Sequence, residues 1–375
     1  MALIYCGIDE AGYGPMLGPL CVGFSAFRLA QWEPDAGAPD LWQVLEAAVC
    51  RKGRDARSRV AVADSKKLKL SNQSKTRHPL THLERGVLAF GGLVSTEPDA
   101  QAKSLQHKGK KAPPPQPSPA RRGGGSRSES DAQSEPDAQA KSLPKDPQPQ
   151  SHPLDTDLAL FAALGTHLEP HDWYGGEPVP LPLGGSAARL AIARNTLALA
   201  CEAAGVEPIA LACIAVGETE FNEVIRTGSS KAHLTTRCFG RYLRRVVERW
   251  GSSGDEVRII CDRHSGRTSY APMIEAAVRG LGFEVETLEE SSRCSRYAVQ
   301  KTEPDAQAKS LEPNLQGSIH IQFRPEAEEA HLPVALASMT AKLARELAMG
   351  RFNRYWGSRV PGLKPTAGYV QDARR

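Results

Sequence analysis

Several features are missing from this chain of 375 residues, and each absence closes a class of function. No apolar run approaches the ~18 residues that a bilayer span needs. The opening MALIYCGIDEAGYG has no basic stretch and reaches two carboxylates by residue 10. A secretory signal or membrane anchor is therefore not expected, and a cytoplasmic location is. No CxxC occurs among the eight cysteines, and the closest two, Cys201 and Cys213, lie twelve residues apart. That spacing disfavours a zinc site and reads as reduced cysteines in the core. GYGPMLG has Leu17 where a GxGxxG cradle needs its third glycine, and no GxxxxGK[ST] occurs, so a nucleotide-binding enzyme has little support. A net charge of +4 is too small to require or exclude a nucleic-acid partner.

Aromatic residues are few, at 6%, and none falls in residues 97–153, which hold 11 of the 28 prolines. Such a segment cannot bury enough apolar surface to offset its ordering entropy and is expected to be disordered. The unit EPDAQAKSL occurs three times, at 97–105, 135–143 and 303–311. The unequal separations exclude a solenoid and suit insertions in exposed loops. The expected domain is therefore split into 1–96 and 154–375, with a disordered insertion at 97–153 and a short one at 303–316.

What remains alternates between strand and helix patterns. ALIYCGI (2–8) is an apolar run suited to a buried strand, and LCVGFSAFRL (20–29) would pair with it as a hairpin. Strands are expected at 209–216, 257–262, 283–288 and 318–323, and helices at 187–204, 231–250 and 334–355. The pattern predicts an α/β domain whose mixed β-sheet is opened by an antiparallel hairpin.

Two strands end on carboxylates. LIYCGID ends on Asp9, followed by Glu10, and VRIICD ends on Asp262. Carboxylates in an apolar strand are costly unless their charge is compensated. If the strands are parallel neighbours, the side chains emerge at one sheet edge, where open α/β sheets form their sites. Hard oxygen ligands without His or Cys suit Mg²⁺ or Mn²⁺. Adjacent strand residues face opposite ways, so one ion would not naturally take both Asp9 and Glu10. A further ligand could come from Glu326, Glu328 or Glu329, although acidic residues before a helix also complement its dipole.

These residues resemble a family. Gly7-Ile8-Asp9-Glu10-Ala11-Gly12-Tyr13-Gly14-Pro15, then Leu17-Gly18-Pro19, is similar to the opening signature of bacterial type 2 ribonuclease H (ribonuclease HII). Asp64-Ser65-Lys66-Lys67-Leu68 resembles its DSKKL element, Ile260-Cys261-Asp262 its third-carboxylate strand, and 337–346 its ASIxAKxxRD helix. Tyr369 falls where the family has a sugar-stacking tyrosine. The five elements keep family order along almost the whole chain. The resemblance implies an RNase H-like fold with flanking helices and a C-terminal helical region. It implies a monomeric endonuclease that uses Mg²⁺ or Mn²⁺ to cut RNA in RNA–DNA hybrids, including ribonucleotides embedded in duplex DNA. By position Asp9, Glu10 and Asp262 would be metal ligands and Glu329 the fourth catalytic carboxylate, with Pro333 and Val334 then also in line. An ungapped count selects Glu328 instead. Gly12, Tyr13, Gly14, Lys66, Lys67 and Tyr369 would bind substrate.

The chain departs from the family at Tyr13, which stands in place of Arg, and at Glu329 and Glu346, each in place of Asp. A weakened or inactive relative that binds hybrids is therefore the alternative, and a two-metal nuclease acting on DNA is a second rival. Arg237, Arg241, Arg244 and Arg245 share one helix face, either a solvated side or a phosphate-tracking stripe. Lys231 and Lys342 are further basic candidates.

Overall fold

β1 (Leu3–Ala11) is buried along nearly its whole length because it lies in the middle of a seven-stranded sheet. A strand covered on both faces needs a continuous apolar run, which is what its sequence provides. The computed structural model describes residues 1–11, 16–33, 37–94, 154–264, 266–302, 318–369 and 373. The expected insertions at 97–153 and 303–316, and Gly12, Tyr13 and Gly14, lie outside them.

The sheet order is β5-β2-β1-β6-β9-β8-β7. β2 (Leu20–Leu29) forms the expected antiparallel hairpin with β1 and pairs in turn with β5 (Val206–Val216). β6 (Glu256–Asp262) runs parallel to β1, and β9 (Ile319–Arg324) parallel to β6. β7 (Phe283–Glu290) and β8 (Ser295–Lys301) close the far side in antiparallel sense. β7 is the edge and carries FEVETLEE, with glutamates that discourage further pairing. A short pair, β3 (Val49–Cys50) and β4 (Val60–Ala61), stands apart. The mixed α/β sheet opened by an antiparallel hairpin, as expected from the sequence, is the one observed.

Helices cover both faces. α1 (Leu41–Val44), α2 (Ser65–Leu68), α3 (Thr81–Gly91), α4 (Asp157–Ala163) and α5 (Ala187–Ala204) precede β5. α6 (Glu218–Arg226) and α7 (Lys231–Trp250) lie between β5 and β6. α8 (Ala271–Val278) follows β6, and α9 (Ala327–Ala330) leads into α10 (Leu332–Arg359). Leu3 and Tyr5 of β1 pack with α3 and α10 on one face, and Ile4, Cys6 and Ile8 with α7 and α8 on the other.

α10 lies directly on the sheet because two strand residues have no side chain. A Cβ on Gly7 would collide with the backbone of Pro333 and Val334, and one on Gly23 with that of Ala337. Ser25 Oγ donates to Pro333 O at 2.7 Å, and Ala335, Ala337, Ala341 and Ala344 keep the contact close. All eight cysteines are free thiols, seven of them buried, as expected of core residues. No helix among the described residues is long and apolar enough to cross a membrane.

Candidate active site

The parallel pairing of β1 with β6 ends at Ile8 and Cys261, so Asp9 and Asp262 stand next to each other at one sheet edge. By strand alternation both point toward α10. Asp9 is buried at 7% exposure and takes a hydrogen bond from Ser338 of α10. Its Oδ1 also accepts from the Glu10 N–H at 2.8 Å. Asp262 Oδ1 accepts from the Ala327 N–H at 3.2 Å, which ties β6 to α9.

α9 decides which glutamate joins this group. β9 ends at Arg324, and the chain reverses at Glu326, whose φ of 53° is left-handed. That conformation is costly for a residue with a Cβ and here starts a single tight turn. The turn sends Glu328 inward and Glu329 outward. Glu328 is half-buried and feels the charges of Asp262 and Asp64, whereas Glu329 is exposed and paired with Lys67 Nζ. The structure thus brings Glu328, the residue given by the ungapped count, toward this group, and leaves Glu329, the residue expected there, outside it on Lys67.

Burial and mutual repulsion raise the carboxyls together. Asp9 is pushed well above the ordinary range, first by burial and then by Glu10 and Asp262. Glu10 is raised to about 7 by burial and Asp262. Burial also raises Asp262 and Glu328. Glu10 Oε2 and Glu328 Oε2 are buried without a hydrogen-bond partner. Unpaired buried carboxylate oxygens are expensive, and a divalent cation is the group that would satisfy them. The donors are all hard oxygens, which fits Mg²⁺ or Mn²⁺. No three of these residues hold oxygens all within 4.8 Å of one another, so the set is too wide for one ion to take three of them as they stand.

The basic residues divide. Lys66 and Lys67 are neighbours on α2, which Asp64 caps by accepting from the Lys66 N–H at 2.9 Å. Ser65 Oγ and Ser338 Oγ are hydrogen-bonded at 3.0 Å, which docks α2 on α10 beside Asp9. Both lysines are exposed; the charge of Lys66 acts on Glu10 and Asp262, and Lys67 meets Glu329. Tyr369 lies under two cations, with Arg345 4.8 Å and Lys342 5.4 Å from its ring centre. Arg345, 1% exposed, also donates to the carbonyls of Pro19, Leu17 and Ala367. It thereby fixes the residues that follow the first hairpin turn. Glu346 pairs with Lys342 at 2.9 Å and Lys69 at 3.9 Å, away from the four carboxylates named above.

The arginine face of α7 is amphipathic as expected, with Phe239, Leu243 and Val246 buried. Two of its four arginines are engaged elsewhere. Arg237 pairs with Glu220, and Arg244 pairs with Glu248 at 2.9 Å and donates to the carbonyls of Ala277 and Arg279. Lys231 lies 5.8 Å from the Phe221 ring centre. His264 follows the site but is packed among Phe239, Tyr270 and Phe323, and burial lowers its pKa to about 4. That is a core histidine.

One acidic group was missed by sequence reasoning. Glu169, His171 and Glu218 bring donor atoms within 4.8 Å of one another. Glu169 accepts from the N–H groups of Thr219 at 3.0 Å and Glu220 at 3.1 Å, and so caps α6, while His171 Nε2 lies 2.8 Å from it. Tyr174 donates to Glu218 Oε1 at 2.5 Å, and Glu218 Oε2 is buried without a partner. The 46 residues between His171 and Glu218 leave no local pattern to read.

No family model matches the sequence, and no curated protein matches it. Among solved structures the chain is similar to the PCNA:RNase HII complex from Archaeoglobus fulgidus, at 11% identity and a TM-score of 0.36, covering 99% of this chain and 84% of that one. It is similar also to ribonuclease H2 from Pyrococcus horikoshii OT3, at 13% identity and a TM-score of 0.35, covering 100% of this chain and 83% of that one. Both likenesses are distant.

Proposed function

We propose that this chain is a metal-dependent endoribonuclease of type 2 ribonuclease H kind, acting on RNA–DNA hybrids and on ribonucleotides embedded in duplex DNA. The observation that carries the reading is the convergence of Asp9, Glu10, Asp262 and Glu328 on one sheet edge, each raised by burial and all but Asp262 also by neighbouring carboxylates. The order of the family-like motifs along the chain supports it.

Asp9, Glu10, Asp262 and Glu328 would hold Mg²⁺ or Mn²⁺. Two such ions, when bound, activate water and stabilise the leaving oxygen in phosphodiester hydrolysis. The protein's own groups do the rest. Ser338 fixes the Asp9 carboxylate from α10, and the Ala327 N–H fixes that of Asp262, so both face the reacting phosphate without further reorganisation. Lys66 and Lys67 supply positive charge along the backbone of the duplex. Tyr369, held by Arg345, would stack under the sugar next to the cut. Gly12, Tyr13 and Gly14 would approach the 2′-hydroxyl, which distinguishes RNA from DNA at one position.

The test is cleavage of three labelled duplexes in Mg²⁺ and in Mn²⁺. One is DNA with a single ribonucleotide, one a long RNA–DNA hybrid and one all DNA. The expected result is cutting of the first two, with the third intact and Asp262→Asn inert on all of them. Cutting of the long hybrid alone would withdraw the embedded-ribonucleotide activity and implicate Tyr13. All-DNA cut as fast as hybrid would favour the DNA nuclease. Hybrid bound but never cut, by folded protein, would leave the inactive relative.

A further inference from the structure

Glu329 contributes nothing to the inner carboxylates, yet it is the residue on which two cations converge. Lys67 Nζ pairs with its Oε1, and Arg51 Nη1 donates to its carbonyl oxygen at 2.6 Å. Arg51 is held from behind. Its other nitrogen pairs with Asp40 Oδ2 at 3.2 Å, and the guanidinium lies 3.6 Å over the Trp42 ring. Both side chains of the Lys67–Glu329 pair are open to solvent, at 60% and 49% exposure.

Lys66 and Lys67 therefore serve different groups from adjacent positions. Lys66 acts on the inner carboxylates, and Lys67 on an anion one step outside them. A carboxylate on an exposed ammonium occupies the place that a phosphodiester oxygen takes in an anion site, while Arg51 holds only the Glu329 main-chain carbonyl. We infer that Lys67 is a phosphate subsite flanking the inner carboxylates, and that Glu329 fills it as an internal stand-in until a backbone phosphate of the duplex displaces it. The inference rests on the proposed hybrid-binding function and adds to it a competitor, Glu329, and an anchor for its turn, Arg51. Arg51 would remain on the Glu329 carbonyl throughout, so that the turn carrying Glu328 keeps its place while the side chain yields.

Competition has a signature that general charge removal lacks. Freed Lys67 gains a phosphate contact, and each such contact adds about 0.9 to the slope of log affinity against log salt. If Glu329 acts only through Lys67, removing Lys67 abolishes its effect. The experiment measures binding of the full chain to a labelled RNA–DNA hybrid by fluorescence anisotropy, in EDTA, at several salt concentrations. Folding is confirmed by circular dichroism. Glu329→Gln is expected to tighten binding about 2- to 5-fold at low salt and steepen the slope by about 1. Lys67→Ala should weaken binding and flatten the slope by about 1. The Lys67→Ala/Glu329→Gln double variant should bind as Lys67→Ala alone. Hybrid binding with affinity and slope unchanged in Glu329→Gln overturns this inference alone. So does a double variant that binds more tightly than Lys67→Ala, because Glu329 then acts by bulk charge. Folded protein that binds no hybrid in any form overturns both the inference and the function beneath it.

Discussion

Two acidic groups in this molecule titrate in opposite directions, and the contrast separates a site from a brace. Glu169 lies below its ordinary pKa: burial pushes it up, but hydrogen bonds from Thr219 and His171 outweigh that. It is a helix cap whose charge is met by donors of the protein itself. Asp9, Glu10, Asp262 and Glu328 lie above theirs, because burial outweighs the donors they have and, for all but Asp262, is joined by like charges. A single carboxylate with internal partners, as Glu169 is, needs nothing more. A cluster whose members repel each other, with two buried oxygens unpartnered, is built to receive positive charge.

The comparison can be broken most severely at Glu328. Glu328→Gln should lower metal-dependent cleavage by more than about 100-fold and weaken Mn²⁺ binding measured by calorimetry. Near-normal values for both would return the fourth position to another residue.

A smaller effect follows from pH. Glu10 rises from 4.5 to about 7 on folding, so between those values the native state binds the extra proton. That contribution is fully present below the unfolded value and is lost as pH rises through about 7. The metal-free protein should lose on the order of a few kcal/mol between about pH 5 and pH 8. Thermal melts with and without Mg²⁺ test this, and the ion should restore the loss at high pH. A metal-free melt independent of pH over that window would refute it. Glu169 has the reverse sign, since a lowered carboxyl gives stability that is lost only as pH falls through its own pKa.

Glu169→Gln should cost about 1 kcal/mol, the loss of a charged helix cap, without moving metal affinity. A chemical-denaturation midpoint and a Mn²⁺ titration measured together would show whether brace and site are separate. The smallest effect belongs to residues 97–153, whose removal should leave the melting temperature and cleavage rate unchanged. A truncated chain that fails to fold would show that the segment is not a tolerated insertion.

The sequence discloses regular elements where their ends carry chemistry. Helices 187–204 and 231–250 are found with those bounds because Ser186 and Ser230 cap their starts and Gly205, at φ 62°, stops the first. Asp9 and Asp262 are legible because each ends an apolar run. β8 escapes because SRYAVQK has neither clear alternation nor turn residues of its own. The choice between Glu328 and Glu329 escapes for a different reason. A turn of four residues has no readable period, and the left-handed Glu326 that orients it gives no sequence signal. Arg237 and Arg244 share a face with Arg241 and Arg245, but no pattern in the helix reveals that Glu220 and the end of α8 engage them.

α10 has a role that its packing alone does not convey. Along one rod of 28 residues, about 42 Å long, Ser338 reaches Asp9, Arg345 reaches Tyr369, and Arg351 grips Asp157 and the carbonyls of Tyr174 and Gly175. Gly7 and Gly23 seat that rod against the sheet. It works as a caliper, holding the spacing between the carboxylates and the tyrosine. A side chain added at Gly23 would lift the rod and misplace both jaws at once, although it touches neither.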